Sequence, residues 1–424
     1  MKSLPIANGR FDYTSGMLTL IALCACLPLA QAEEVDEVTA KKPVTPAIKA
    51  VENPLLEDVP KLAPVAPTDP AKLEASIDRG IKFLLEDQNA DGSWGSAHNT
   101  KELNIYAPVP GAHHAFRTAV TAMCITALIE TGRTDAATIA SLERGEQWLL
   151  DQLLRLRRAT PDALYNIWGH AYAISALAKM YDRVPGDEVR REQIRSLIAS
   201  QLDYLDRFES VDGGWGYYDF RTGSKKPGTD ATSFQTATVL IAMHEAQQVG
   251  VEPKQRTVDR GLAAILRQQK PDFSYLYGEY LKWTPMHPVN RPGGSLGRSQ
   301  ACNAALRIWQ DESVTDQVIS VWLDRLFARN GWLSIGRKRP IPHESWFMVA
   351  GYFYYYGHFY GAICIDLLPV EKRPEYRDHM SKLMLELQEK DGSWWDYPLY
   401  NYHQQYGTAF ALMTLVRCRS EAKS

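Results

Sequence analysis

The chain is poor in the features that recruit a protein to nucleic acid, to a metal or into a bilayer. Its 47 Lys and Arg are matched by 50 Asp and Glu, a formal net charge of −3. No basic excess exists to neutralise phosphates, so no nucleic-acid partner is expected. Six cysteines occur in 424 residues, and none stands in a Cys/His cluster of metal spacing. No zinc site and no other cofactor is expected. The N-terminal apolar run MLTLIALCACLPLA, Met17 to Ala30, is short for a membrane span. A membrane contact is expected only if this segment is retained or lipidated. Aromatic residues are plentiful instead. Twenty-one Tyr and eleven Trp fall largely near glycines and loop signals, where a binding surface or cavity wall can use them.

Residues 1–32 read as an export signal. The apolar run is followed by Ala30-Gln31-Ala32, the small-x-small pattern at which signal peptidase cuts. The protein is therefore expected to be exported, to the periplasm or the medium of a bacterial-type cell. An uncleaved anchor is the alternative, and Leu23-Cys24-Ala25-Cys26 keeps a lipoprotein acceptor at Cys26 open. After cleavage Cys124, Cys302, Cys364 and Cys418 remain, each in an apolar helical stretch that predicts a buried thiol. Residues 33–70 are rich in Pro and charge and have no period. They are expected to form a disordered linker, leaving 71–420 as the folded domain.

That domain repeats itself. "IDRGIKFLLEDQ" (77–88), "LERGEQWLLDQL" (142–153) and "VDRGLAAILRQQ" (258–269) each place Arg-Gly ahead of an apolar helical period and a Gln. "QNADGSWG" and "QEKDGSWWD" carry the same turn at both ends of the domain. Asp-Gly supplies the positive φ that reverses the chain, and Trp94, Trp215, Trp332 and Trp394 follow such glycines. A second helix then comes in each unit, as in "TAVTAMCITALIE" and "YGTAFALMTLV". These second helices are apolar nearly all round, which predicts burial on most sides. Six pairs, with first helices starting near 71, 141, 193, 257, 316 and 375, predict an all-α fold, an α6–α6 barrel. An open solenoid is the alternative.

"RGIKFLLEDQNADGSWG" resembles the repeat of the terpene cyclase and protein prenyltransferase superfamily, and the resemblance covers roughly 71–418. It implies an α/α toroid with a central cavity. It also implies an architectural task for the Gln…Gly-x-Trp element, which clamps neighbouring helices on the outside. The catalytic motifs of that superfamily are missing. No Asp-x-Asp-Asp occurs; the closest approach is the single carboxylate of Asp230 in "GTDATSF". The zinc set fails at Cys302, where Gln300 stands two residues earlier in place of Asp, although His358 matches a later His. The thioester motif Cys-Gly-Glu-Gln is absent.

Polar residues near the starts of the second helices are the site candidates. Asp230, His170 and His358 are taken as catalytic candidates. His113, Arg117, Arg298, Gln300, Tyr360, His403 and Tyr406 are taken as ligand-binding candidates. "WFMVAGYFYYYGHFYGAICIDLL" (346–368) is the densest aromatic segment, suited to a cavity wall or to tight packing around Gly351, Gly357 and Gly361. Three functions follow. The first is an exported cyclase-like protein that binds or transforms an isoprenoid or other elongated apolar ligand. The second is a carbohydrate-active enzyme, since α/α barrels also host glycosidases and lyases. It would use paired carboxylates among Asp219, Asp230, Glu279, Glu344 and Asp396. The third is a binding or scaffold protein without catalysis. The expected partner is a small-molecule or lipid ligand, or a glycan under the second reading.

Overall fold

The computed structural model describes residues 53–101, 105, 107, 109–219, 226–228, 231–343 and 348–420. The signal segment, the first part of the linker, Asp230 and Glu344 lie outside the described residues. Within them the chain is helical, with isolated bridges and no strand. In chain order the helices are α1 (Pro70–Glu86), α2 (Pro110–Thr131), α3 (Ala136–Gln152), α4 (Asn166–Asp182), α5 (Glu188–Phe208), α6 (Ser233–Gln248) and α7 (Gln255–Leu266). There follow α8 (Pro292–Ile308), α9 (Asp316–Ala328), the short α10 (Asn330–Ser334), α11 (Phe353–Asp366), α12 (Arg373–Glu386) and α13 (His403–Arg417). None of these helices is long and apolar enough to cross a membrane.

Two concentric rings result. The inner ring runs α2, α4, α6, α8, α11, α13 and back to α2, each helix packed on the next. The outer helices α3, α5, α7, α9 and α12 pack behind the inner helix that precedes them, and α1 packs behind α13. The first helix thus covers the last, and the barrel closes. Three outer helices, α1, α3 and α5, start on short polar caps: the carboxylates of Asp69, Asp135 and Asp187 accept from the amides of Ala71, Thr138 and Arg190 at 2.9, 3.0 and 2.9 Å. Inner helices are buried on nearly every side. At one seam Gly297 of α8 and Gly357 of α11 face each other so closely that a Cβ on Gly357 would stand 2.5 Å from the Gly297 Cα. The aromatic segment around 351–361 is therefore both wall and seam.

The repeated turn is the joint of the outer ring. Gln88, just past α1, donates to the carbonyls of Gly92 and of Ser141 on α3, both at 2.8 Å. Gln388, just past α12, does the same to Gly392 and to Ser76 on α1, both at 2.9 Å. The indole N–H of Trp94 caps the Leu84 carbonyl and that of Trp394 the Met384 carbonyl, each at 2.8 Å. The Trp94 and Trp394 amides donate to Thr121 of α2 and Thr408 of α13 at 3.0 Å. Each Trp thus ties an outer helix, the next outer helix and the inner ring. The Arg-Gly signature has a reason here: Gly145 lies under the Trp94 ring and Gly80 under Trp394. Trp215 repeats the joint against Gly261, with Glu209 and Arg260 in place of the Gln contact. Trp332 does not; it sits on α10, 45% exposed, because the chain there continues as helix instead of turning.

Two further observations complete the frame. Residues 53–69, expected to belong to the linker, are bound to the outer ring. Arg325 on α9 donates to the carbonyls of Leu55 and Glu57 at 2.9 and 3.0 Å. The Thr68 amide donates to Asp378 on α12 at 2.7 Å. Leu55 is buried. Cys124, Cys302, Cys364 and Cys418 are all buried free thiols.

Candidate functional site

Outer and inner helices alternate along the chain, each inner helix coming after an outer one, so all six inner helices point their N-termini to the same end of the barrel. A cavity of about 720 Å³ lies there. Its inner-helix lining repeats every three or four residues: Phe116, Ala119, Val120 and Met123 of α2, Trp168 and Tyr172 of α4, and Tyr406 and Phe410 of α13. Tyr352, Phe353 and Tyr356 line it at α11 and Phe234 at α6. Loops at the mouth add Tyr217, Tyr218, Tyr277, Tyr280, His287 and His343. Among the described residues no carboxylate, Lys or Arg lines the cavity.

The far end of the ring is sealed by charge. Arg417 of α13 bonds Glu130 of α2, with one contact at 3.0 Å, and lies 3.6 Å from Asp366 of α11. Lys179 of α4 lies 3.5 Å from Glu130, and Ser175 of α4 bonds Glu245 of α6. Cations in the last turns also suit the negative ends of these helices. The chamber is therefore a blind pocket open at the N-terminal side.

Its polar features are few. The Nδ1 of His343 lies 3.0 Å from the Met348 carbonyl and its Nε2 3.0 Å from the Tyr352 hydroxyl. Tyr352 continues to Tyr277 at 3.3 Å, and Tyr277 to Tyr217. Burial pushes the His343 imidazole down to about 4, so the ring is neutral near pH 7. Close by, at the same end of α11, the Tyr406 hydroxyl donates to Asp396, which also accepts the Tyr355 amide at 2.9 Å. Asp396 stands behind the wall, fully buried, and burial pushes its carboxyl up to about 7. At the floor Thr238 bonds Tyr360 at 2.9 Å and Tyr356 at 3.1 Å.

The residues singled out from sequence distribute unevenly about this chamber. Tyr406 is in the wall, and Tyr360 is one layer beneath it. His113 sits at the rim, its ring 4.6 Å from that of Tyr400. His170 points outward, 2.7 Å from Gln201 of α5 and stacked on Tyr204. His358 bonds Asn330 of α10 at 2.7 Å, and Gln300 donates to the Trp322 carbonyl of α9 at 2.8 Å. Arg117 is held by Asp91 and Ser93 of the first turn motif at 2.6 and 2.8 Å. His403 lies 2.6 Å from the Tyr400 carbonyl. Arg298 is wholly buried and donates to the carbonyls of Tyr275 and Val289 at 3.0 and 2.7 Å; it braces the loop before α8. Burial lowers its guanidinium to about 10. Asp230 lies outside the described residues. The carboxylates Asp219 and Glu279 face Arg158 and Arg267 at 2.9 and 2.6 Å, away from the chamber. Sequence reading passed over Trp168, Tyr172, Phe234, Tyr277 and His343. Aromatic residues four apart on the second helices were the available signal for the first two.

No protein-family model matches the chain, and no curated protein matches it. Solved structures do. An inactive variant of the alpha-1,6-mannanase GH76A of Salegentibacter sp. HEL1_6, in complex with alpha-1,6-mannotriose, is 9% identical. It covers 82% of this chain and 99% of its own, with a TM-score of 0.52. A second structure of that mannanase is 8% identical over 81% of this chain and 98% of its own, with a TM-score of 0.50. The type II terpene cyclase MstE from Scytonema is 16% identical over 82% of this chain and 98% of its own, with a TM-score of 0.45. Such identities speak to fold alone, and the six closed helix pairs are those of an α/α toroid.

Proposed function

We propose that the protein is an exported toroid that binds or transforms an elongated apolar molecule, with an isoprenoid as the ligand class that fits best. The observation that carries the reading is the wall: a blind chamber of about 720 Å³ faced by Tyr, Phe, Trp and aliphatic side chains, with no described charge in it. This volume falls in the range of roughly 300–1,000 Å³ typical of small-molecule pockets. Aromatic faces pack well on unsaturated chains and favour positive charge that develops on them. Glycosidic chemistry needs two carboxyl groups facing one bond. Asp219 and Glu279 are neutralised by arginines outside the chamber, and Asp396 is behind its wall, which leaves the glycan reading without a described pair.

The test is a melting curve of the mature protein with farnesol, a longer polyprenol, and alpha-mannotriose. A rise in Tm with the prenyl compounds and none with the sugar is expected. A rise with the sugar alone overturns the reading. Export has its own test: intact mass of protein recovered from periplasm or medium should start at Glu33. A mass that includes residues 1–32, or one with a lipid on Cys26, overturns cleavage after Ala32.

A further inference from the structure

The hydroxyls of Tyr217, Tyr277 and Tyr352 and the ring of His343 make one hydrogen-bonded string along a chamber that is otherwise hydrocarbon. The direction of that string is set at one end. The Met348 carbonyl can only accept, so His343 Nδ1 carries the proton and Nε2 presents a lone pair. Tyr352 must then donate to His343. Its oxygen is left to accept from Tyr277, and that of Tyr277 to accept from Tyr217. This is the arrangement that makes every contact in the string; any reversal at Tyr277 leaves one unmade. The string therefore ends on the oxygen of Tyr217, a residue that lines the chamber and whose proton is spent on Tyr277. A neutral His343 keeps this polarity near pH 7, and burial holds the ring neutral. Its backbone sits at φ 58° and that of Met348 at φ 53°. These are costly conformations for residues with a side chain, of the kind retained where a group has to be aimed.

A second observation points the same way. Thr232 lines the chamber and is 4% exposed, yet its Oγ1 has no hydrogen-bond partner. Buried hydroxyls are rarely left so. Thr232 pairs with Gly278, next to Tyr277, and precedes Phe234, whose ring is 5.1 Å from that of Tyr277 and 6.2 Å from that of Tyr217. A lone-pair acceptor and an unused hydroxyl thus share one side of the mouth.

We infer that the chamber selects an apolar ligand ending in a hydroxyl, which donates to Tyr217 and accepts from Thr232 while its hydrocarbon tail reaches toward Tyr172 and Phe410. The inference rests on the apolar-ligand reading and adds the chemistry of the head group. It distinguishes an alcohol from an ether or a hydrocarbon of the same length, because neither of those supplies a donor.

The experiment measures affinity of the mature protein for farnesol, farnesyl methyl ether and farnesene by calorimetry at pH 7. Farnesol is expected to bind about 3- to 10-fold more tightly than either of the others, the worth of a net hydrogen bond. In Tyr352→Phe the string loses its anchor. Tyr277 turns to donate to Tyr217, and the Tyr217 proton is freed toward the ligand. The ether should then approach the alcohol in affinity while farnesene stays unchanged. Thr232→Val, which keeps the side-chain shape, should weaken farnesol and its methyl ether, whose oxygens both accept from Thr232, leave farnesene unchanged and leave the melting temperature in place, so the inference stays open to test if Tyr352→Phe fails to fold. Equal binding of all three probes to the parent overturns the head-group inference and leaves the apolar reading standing. An unchanged alcohol-to-ether ratio in Tyr352→Phe overturns the assignment to Tyr217, and unchanged affinity for both oxygen-bearing probes in Thr232→Val overturns the assignment to Thr232. Binding of none removes both.

Discussion

Gly145 lies so close under Trp94 that an added Cβ would stand 2.6 Å from the indole ring. The ring cannot retreat, since its N–H holds the Leu84 carbonyl and its amide holds Thr121. Gly145→Ala is therefore expected to lower unfolding free energy by about 1–3 kcal/mol in urea denaturation. Gly186→Ala, where a Cβ meets open space, should change it little; equal effects would contradict the clamp. Asp396 offers a test by pH. Its carboxyl, ordinarily 3.8, stands at about 7 in the folded chain because of burial. A raised folded value means that the native state holds the proton more tightly than the unfolded one. This contribution is complete below about pH 4 and is lost as pH rises through about 7. Asp396→Asn removes the titration. The unfolding free energy of the variant relative to the parent should thus rise by on the order of 2 kcal/mol from pH 5 to pH 8. A flat or falling difference would place the acid in water. Single side chains were also where sequence reading was weakest. Trp168, His170 and Tyr172 are near neighbours in sequence, but a helix turns about 100° per residue. The two aromatics face the chamber and the His faces α5.

At the scale of the element, the outer helices were legible and the inner ones only half so. The expected starts near 71, 141, 193, 257, 316 and 375 compare with observed starts at 70, 136, 188, 255, 316 and 373. Outer helices have one polar face, and α1, α3, α5 and α9 have side-chain caps, so most of their limits and their orientation are written locally. The inner helices are apolar all round, which establishes burial and hides which face looks inward. Loops such as 277–289 carry no period at all, and their share of the chamber was invisible before the fold brought them to the mouth. The same limit applies to residues 53–69. Proline and charge marked them as linker, while Leu55 and the carbonyls that Arg325 holds tie them to α9. Leu55→Ala is expected to cost about 2–3 kcal/mol of stability, read from urea unfolding. No change would mean that the strap merely rests on the ring.

At the scale of the whole molecule, closure distinguishes this toroid from an open solenoid. It is made three times over: α1 behind α13, Gln388 on Ser76, and Arg417 on Glu130. Arg417→Ala would leave Glu130, Glu245 and Asp366 facing each other at the sealed end with one cation fewer. Breaking a largely buried pair by removing one partner costs on the order of 3 kcal/mol, and melting should show it as a marked fall in Tm. An unchanged Tm would mean that the network is solvated. The repeat pattern and its Trp turns made the closed ring readable from sequence, since each joint is local. The chamber was not readable in the same way, because its wall is assembled from all parts of the ring at once. The most direct measurement of the central claim is calorimetric titration of farnesol into the parent and into Ala119→Trp, whose indole would occupy the chamber from α2. The account predicts one site per chain in the parent and none in the variant, with the melting temperature of the variant held. Equal binding in the two proteins would contradict it.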